Sequence, residues 1–200
     1  DPTLADSDGD GLDDGVETAT GIWVSASNTG TSPTADDTDG DGLEDGVETN
    51  TGSFVSSNDT GTNPLLVDTD RDGLSDGIER NTGIFVDADD PGTNPLLADT
   101  DQDGAGDWYE IRASFTDPLD PASMLEIVSI EKLATTVELT YTSVPGRIYT
   151  IESSATLSGW TAEDEPDGED HVAGPGATTT FIDGNPGPPR KFYRVRVSKP

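Results

Sequence analysis

Two folds in series are predicted for this chain: a mostly irregular array of acidic repeats with short helical turns over residues 1–121, then an all-β antiparallel sandwich over residues 122–200. Three observations predict it. Matching acidic stretches begin at Asp6, Asp37, Asp68 and Asp99, each 31 residues after the last, and a fixed period of that length means a stacked or linear array. The net charge of −31 is unevenly spread: residues 1–120 hold 30 acids against three Arg, while residues 121–200 hold 11 against seven Lys and Arg. From about Met124 the acidic texture gives way to runs in which apolar and polar residues alternate, the period of a half-buried strand.

Within the array each unit opens on a proline in fixed phase, Pro2, Pro33, Pro64 and Pro95. Asn63 or Asn94 before it is a good N-cap, so "PLLAD" is expected to make one helical turn into the acidic loop. A second short helix, "LEDGVETNTG", is expected to leave the loop and stop at Gly21, Gly52 or Gly83. "GIWV", "GSFV" and "GIFV" then read as brief extended segments whose Trp23, Phe54 or Phe85 packs between units. After the fourth loop this insert shortens to "IRASFTDPLDPAS", where the array ends. Apolar residues make up only 30% of the chain, too few for the array to fold around a generous core.

The loop itself, "DTDGDGLEDGVE" in its second copy, crowds carboxylates at a cost. Five within roughly 5 Å form ten pairs, each repelling by about 1 kcal/mol even in water. The spacing explains the crowding: acids at positions 1, 3, 5, 9 and 12 with Gly at 6 are the pattern of a twelve-residue EF-hand-type loop, whose position 7 lends a backbone carbonyl. The candidate ligands are Asp6, Asp8, Asp10, Leu12, Asp14 and Glu17; Asp37, Asp39, Asp41, Leu43, Asp45 and Glu48; Asp68, Asp70, Asp72, Leu74, Asp76 and Glu79; and Asp99, Asp101, Asp103, Ala105, Asp107 and Glu110. An all-oxygen, carboxylate-rich set of about seven ligands suits Ca2+ better than Mg2+, which wants six in a tight octahedron. At least four ions are expected, one per loop. A disordered acidic linker would keep the charge but not the glycine register.

Through the Asp-x-Asp-x-Asp-Gly-x-x-Asp-x-x-Glu pattern, residues 1–120 resemble the thrombospondin type 3 repeat and related bacterial calcium-repeat arrays. The resemblance implies an extracellular or cell-surface, calcium-wrapped stalk with little hydrophobic core, and permits second ions at acids such as Asp36, Asp87, Asp89 and Asp90. Two departures stand out: the animal repeats carry disulfides where this chain has no cysteine, and the 31-residue period includes an insert that shorter units lack. A calmodulin-like sensor fits less well. Loop position 8 is Asp13, Glu44, Ser75 or Gly106 rather than a β-branched residue, and the flanking helices are too short to open a groove. A dockerin, with two loops on longer helices, also fits less well.

The C-terminal runs "LEIVSIEKL", "TTVELTYTS", "RIYTIESSATL", "TTTFID" and "KFYRVRVS", separated by Gly- and Pro-rich turns, describe six or seven strands of a sandwich. Val137, Leu139 and Tyr141, and Tyr193, Val195 and Val197, are its expected inward faces. The pattern resembles the small fibronectin-III-like or Ig-like modules that close many secreted bacterial proteins. Trp160 is read as core, with a carbohydrate-stacking platform as the alternative. Arg190, Lys191, Arg194, Arg196 and Lys199 are read as a solvated edge, or as a surface that docks an acidic array head to tail.

Function classes narrow accordingly. Acidity of this order excludes nucleic acid as a partner, since phosphate binding needs clustered Lys and Arg. No apolar run approaches the ~20 residues of a membrane-spanning helix. With Asp1 first, the chain reads as a processed mature protein or a piece of a longer one. No enzyme is expected: the single His171 sits in an acidic, solvated turn, and no nucleophile–base constellation appears. The expectation is a secreted bacterial structural protein, a calcium-rigidified stalk carrying a β-sandwich for anchoring, adhesion or assembly. Its partners would be calcium and either itself, head to tail, or a cell-surface or matrix component. The alternatives are a subunit of a self-assembling extracellular filament and a carbohydrate-binding accessory region of a secreted enzyme.

Overall fold

The computed structural model describes residues 5–144, 147–163, 171–172, 178–184 and 191–198. The chain forms two compact units, Asp1–Trp108 and Tyr109–Pro200. This division falls earlier than the change of texture at 121/122, because the π-helical segment Glu110–Ser114, with Ile111 buried, packs against the last strand of the sandwich.

In the first unit the chain is irregular, bends and turns alternating with unassigned stretches, and the regular pieces are single 3-10 turns, Asp45–Val47 and Asp76–Ile78, and the start of a short helix at Asp107–Tyr109. The second short helix expected to run to Gly21, Gly52 or Gly83 is no more than a single turn. Instead the chain reverses: Asn50 and Gly52 take left-handed φ of 48° and 68°, and their N–H groups donate to Thr62 O and Gly61 O at 2.7 and 2.9 Å. The insert is thereby pinched into a hairpin closed by the bridge Ser56↔Asp59, and Ser25↔Asn28 and Asp87↔Asp90 close the flanking copies. "PLLAD" is likewise a single turn. Asn63 does cap it, its Oδ1 accepting from Leu65 N at 3.2 Å and its carbonyl from Leu66 N at 2.9 Å, but no further helical bond follows.

The aromatics expected to pack between units are not fully buried. Trp23 and Phe54 are half-buried, Phe85 is exposed, and the neighbouring Ile22, Val55 and Ile84 are 64–70% exposed. The buried side chains are polar: Thr29, Thr31, Thr60, Thr62 and Thr93 together with a set of carboxylates. Leu74 is the one aliphatic side chain buried among this unit's described residues, prolines aside. Along the hairpins the aliphatic residues Ile22, Val24, Val55, Ile84 and Val86 are all exposed, so burial does not alternate with apolar character there.

The second unit has the opposite interior. Strands β1 (Ile127–Lys132), β2 (Val137–Thr142) and β6 (Thr178–Asp183) form one antiparallel sheet in the order β1-β2-β6. In the other sheet β3 (Ile148–Ser154) pairs along its length with β7 (Phe192–Ser198), and on its second edge with the short β4 (Thr161–Ala162) and β5 (His171–Val172). The period-2 runs place Leu139, Tyr141, Tyr149, Ile151 and Phe181 in a common core, with Leu125, Tyr193, Val195 and Val197 packed against it. Strands β4 and β5 are two residues each, too short to show alternation. His171, read above as a turn residue, opens β5, its backbone paired with Tyr149.

Candidate metal centre

Each acidic loop is folded by its own carboxylates. Asp37 Oδ1 and Oδ2 accept from the N–H groups of Gly40 and Gly42 at 2.7 and 2.9 Å, and Asp41 Oδ1 accepts from Leu43 N at 2.7 Å. The first and third loops repeat the pattern through Asp6 and Asp10, then Asp68 and Asp72. The fourth repeats it through Asp99 and Asp103, the latter accepting from Ala105 N. The turn needs a left-handed residue at position 6, and Gly11, Gly42, Gly73 and Gly104 hold φ between 99° and 105°. At position 5 one oxygen of Asp10 and of Asp41 is thus spent on the backbone, and Oδ2 takes no donor.

The aspartates at position 9 have a different task. Asp45 Oδ1 and Oδ2 accept from the N–H and hydroxyl of Thr38 at 2.9 and 2.6 Å, as Asp76 does from Thr69, Asp107 from Thr100 and Asp14 from Ser7. The glutamates at position 12 are held from the insert. Thr31 Oγ1 donates to Glu17 Oε1 at 3.1 Å and Thr93 Oγ1 to Glu79 Oε1 at 2.9 Å, while the Thr62 hydroxyl stands against Glu48. Thr29 and Thr60 tie these threonines to the carbonyls of Val16 and Val47.

These constraints gather the acids into two kinds of cluster. Asp6, Asp8 and Asp10 lie with ligand oxygens within 4.8 Å of one another, as do Asp37, Asp39 and Asp41, and Asp68, Asp70 and Asp72. The second kind joins consecutive repeats: Asp10 and Glu17 meet Asp45 of the next loop, and Asp41 and Glu48 meet Asp76 of the next, within the same 4.8 Å. A twelve-residue loop read alone pairs positions 9 and 12 with one ion of its own, whereas here Asp45 and Asp76 complete clusters begun one repeat earlier. Close approach is made possible by the glycine at position 10. A Cβ on Gly46 would lie 2.1 Å from Asp10 O, and one on Gly77 2.2 Å from Asp41 O.

The clusters are buried, and part of each set of oxygens has no hydrogen-bond donor. Glu17, Asp45, Glu48, Asp76 and Glu79 are all under 5% exposed. Oxygens without a hydrogen-bond donor include both of Asp8, Asp10 Oδ2, Glu17 Oε2, Asp39 Oδ2, Asp41 Oδ2, Asp70 Oδ2 and Glu79 Oε2. Burial first, and then the neighbouring Asp41 and Asp39, push Glu48 up to about 9. Burial and then Asp72 and Asp70 push Glu79 up to about 9, and burial raises Asp41 and Asp70 to about 7. Convergent, desolvated carboxylate oxygens with no donor are the donor set of a hard cation, which would supply the missing positive charge.

The fourth loop departs from this plan. Trp108 stands at position 10 in place of glycine; its N–H donates to Asp72 Oδ2 at 3.1 Å and its ring packs on Gly73. Glu110 belongs to the second unit, fully buried, with Thr116 Oγ1 donating to its Oε1 at 2.8 Å and Ser114 Oγ 2.7 Å from Thr116 Oγ1. Ser114-Phe115-Thr116 therefore stands where Thr29-Gly30-Thr31 stands in the first repeat. Gly30 needs its bareness because a Cβ would meet Ile22 backbone at 2.4 Å. Phe115, with no hairpin beside it, takes a left-handed φ of 56° where Gly30 has 79°.

In the β-module, Arg194 and Arg196 both pair with Glu152, Arg194 at 2.5 Å, and the Arg194 guanidinium covers the ring of half-buried Trp160 at 4.5 Å. Those arginines are satisfied within their own module, and the Trp160 face read as a stacking platform is occupied. The threonines and the position-10 glycine are what the sequence reading missed. Their signal was present, in Thr-Gly-Thr or Pro-Gly-Thr before Ser32-Pro33, Asn63-Pro64 and Asn94-Pro95 and in Thr or Ser at every loop position 2.

The first unit is therefore a repeat array built around all-oxygen cation clusters. Residues 6–21, 37–53 and 68–83 each match the family model of the bacterial TSP3 repeat. The fourth loop lies outside the matched segments. No curated protein and no solved structure matches the chain.

Proposed function

We propose that this chain is an extracellular structural protein whose repeats are rigidified by calcium into a stalk, with the β-module presented for anchoring, adhesion or assembly. The observation that carries the reading is the cluster shared between repeats, Asp10 and Glu17 with Asp45 and Asp41 and Glu48 with Asp76. An ion at such a junction ties one repeat to the next, so metal takes the place of an apolar interior. Asp10 and Asp41 belong to both kinds of cluster, which supports more than one ion per loop and a total above four. The role is structural rather than catalytic: the buried carboxylates are engaged with backbone, threonine and cation. Absence from the described residues of any helix long and apolar enough to cross a membrane fits a chain held at a surface by other means.

The test is a calcium titration by calorimetry, alongside small-angle scattering with and without EGTA, on the protein and on Glu48→Gln. More than four ions, a stiffening on calcium addition and a loss of at least one ion in the variant are expected. Four ions or fewer, with Glu48→Gln titrating like the parent, would remove the junction sites and leave isolated loops.

A further inference from the structure

The β-module holds an acid–base cluster that the cation sites do not use. Lys191, immediately before β7, places Nζ 2.6 Å from Asp183 Oδ2 at the end of β6 and 2.9 Å from Glu163 Oε1 just after β4. The three side chains are enclosed, at 15%, 4% and 23% exposure. The Tyr193 hydroxyl donates to the same Asp183 Oδ2 at 2.6 Å, its ring lies 5.5 Å from Nζ, and the Ser153 hydroxyl donates to Glu163 Oε1. As an ion pair alone this is an expensive arrangement, because desolvating the charges offsets most of their attraction. Two carboxylates around one ammonium also leave a negative charge over. Partial burial opposes the charge on Lys191 while Asp183 and Glu163 together hold its ammonium above the usual range, so passing a proton from nitrogen to a carboxylate is the uphill first step, and the 2.6 Å contact is what makes it available.

We propose that Lys191 and Asp183 join in an intramolecular amide, with Glu163 as the proton carrier. The neutral Lys191 nitrogen attacks Asp183 Cγ, and the Tyr193 O–H donates to the oxygen on which negative charge develops. Glu163 takes a proton from that nitrogen and returns it to the departing hydroxyl. One C–N bond forms, one C–O bond breaks and one water leaves; no electron is transferred and no co-reactant is needed. Asp183 is the acyl partner because it is the more buried acid and holds the tyrosine bond, while Glu163, oriented by Ser153, is placed to carry the proton. Since β6 and β7 belong to different sheets, the bond staples the two layers of the module.

The full chain, measured intact under denaturing conditions, is expected to weigh one water less than its sequence. Trypsin cuts after Arg190, so the peptide containing Asp183 and the one beginning at Lys191 should stay joined after digestion. Hydroxylamine should leave the deficit in place, which separates the amide from a cyclic imide at Asp183-Gly184, formed with the same loss of water. Lys191→Arg, which keeps the ion pair, and Glu163→Gln should both restore the full mass with the strand signature in circular dichroism retained. A folded parent protein at full sequence mass overturns the proposal. So does a deficit that hydroxylamine removes, or a joined peptide whose link maps to Glu163.

Discussion

The two units solve one problem with opposite materials. The β-module removes Leu139, Tyr141, Tyr149, Ile151 and Phe181 from water, and its strands alternate because one face is dry. The repeat unit removes Thr31, Thr62, Asp45, Glu48, Asp76 and Glu79 from water instead, and in doing so collects carboxylate oxygens of which several have no donor among the described residues. The first kind of interior is complete in the polypeptide, and the second is completed by its medium. Stability should therefore be intrinsic in one unit and conditional in the other.

The largest expected effect separates them outright. EGTA should abolish the thermal transition of the array and leave that of the β-module in place, seen as the loss of one of two calorimetric peaks. With free calcium tenfold above Kd each site adds roughly 1.4 kcal/mol, so the five clusters described contribute about 7 kcal/mol, on the scale of a whole domain's stability. One peak that shifts as a whole on chelation would mean that the units do not melt independently.

Leu139→Ala should act on the module alone. Removing a fully buried leucine costs about 2–5 kcal/mol, and the calcium titration should be unchanged. Its counterpart in the array is Gly46→Ala, whose new methyl would lie 2.1 Å from Asp10 O. It should force the second repeat off the first and lower the array transition by about 1–3 kcal/mol, with weakened calcium binding at that junction. Gly15→Ala, at the same loop position but with nothing within 4 Å, is the control and should be near neutral. Equal effects of the two would show that the close approach is not needed.

The smallest effect is the pH dependence, and its sign distinguishes the units. Burial raises Glu48 and Glu79 to about 9 in the folded, metal-free array, above their unfolded value of 4.5. Between those values the folded state holds more protons than the unfolded one, so stability falls as pH rises from about 4.5 toward 9. Metal-free array should accordingly be more compact at pH 5 than at pH 8 by scattering, and calcium affinity should rise over the same window as these protons are displaced. In the module, Glu152 is held below its usual value by Arg194 and then Arg196, so its small contribution is lost only as pH falls into the acid range. A metal-free array that tightens with rising pH would show that these glutamates are not enclosed.

Legibility differed between the units for the same reason. Val137, Leu139 and Tyr141 were readable as an inward face because apolar burial leaves a period-2 trace, and the acidic loops because cation ligands sit at fixed chain spacing. What could not be read was which loop completes which cluster. Asp45 occupies position 9 of its own loop, and only the fold shows it beside Asp10 and Glu17. The helical reading of "LEDGVETNTG" failed because Thr-Gly-Thr, distant in sequence, draws the chain back by accepting from Asn50 and Gly52. How deeply the aromatics are buried was not legible, because hydrophobicity alone does not fix burial: Trp23 and Phe54 are half-buried and Phe85 is 36% exposed. The strands β4 and β5 were missed for length.

The threonine clasp on the position-12 glutamate is made with a hairpin in residues 18–31 and without one in Ser114-Phe115-Thr116. The hairpin is therefore surplus to the ligand shell. Its tip is a port: a place at which sequence can be lengthened, shortened or replaced while the acids stay in register. A chain built this way can change what it displays along its length, at 31-residue intervals, without renegotiating how it holds itself together.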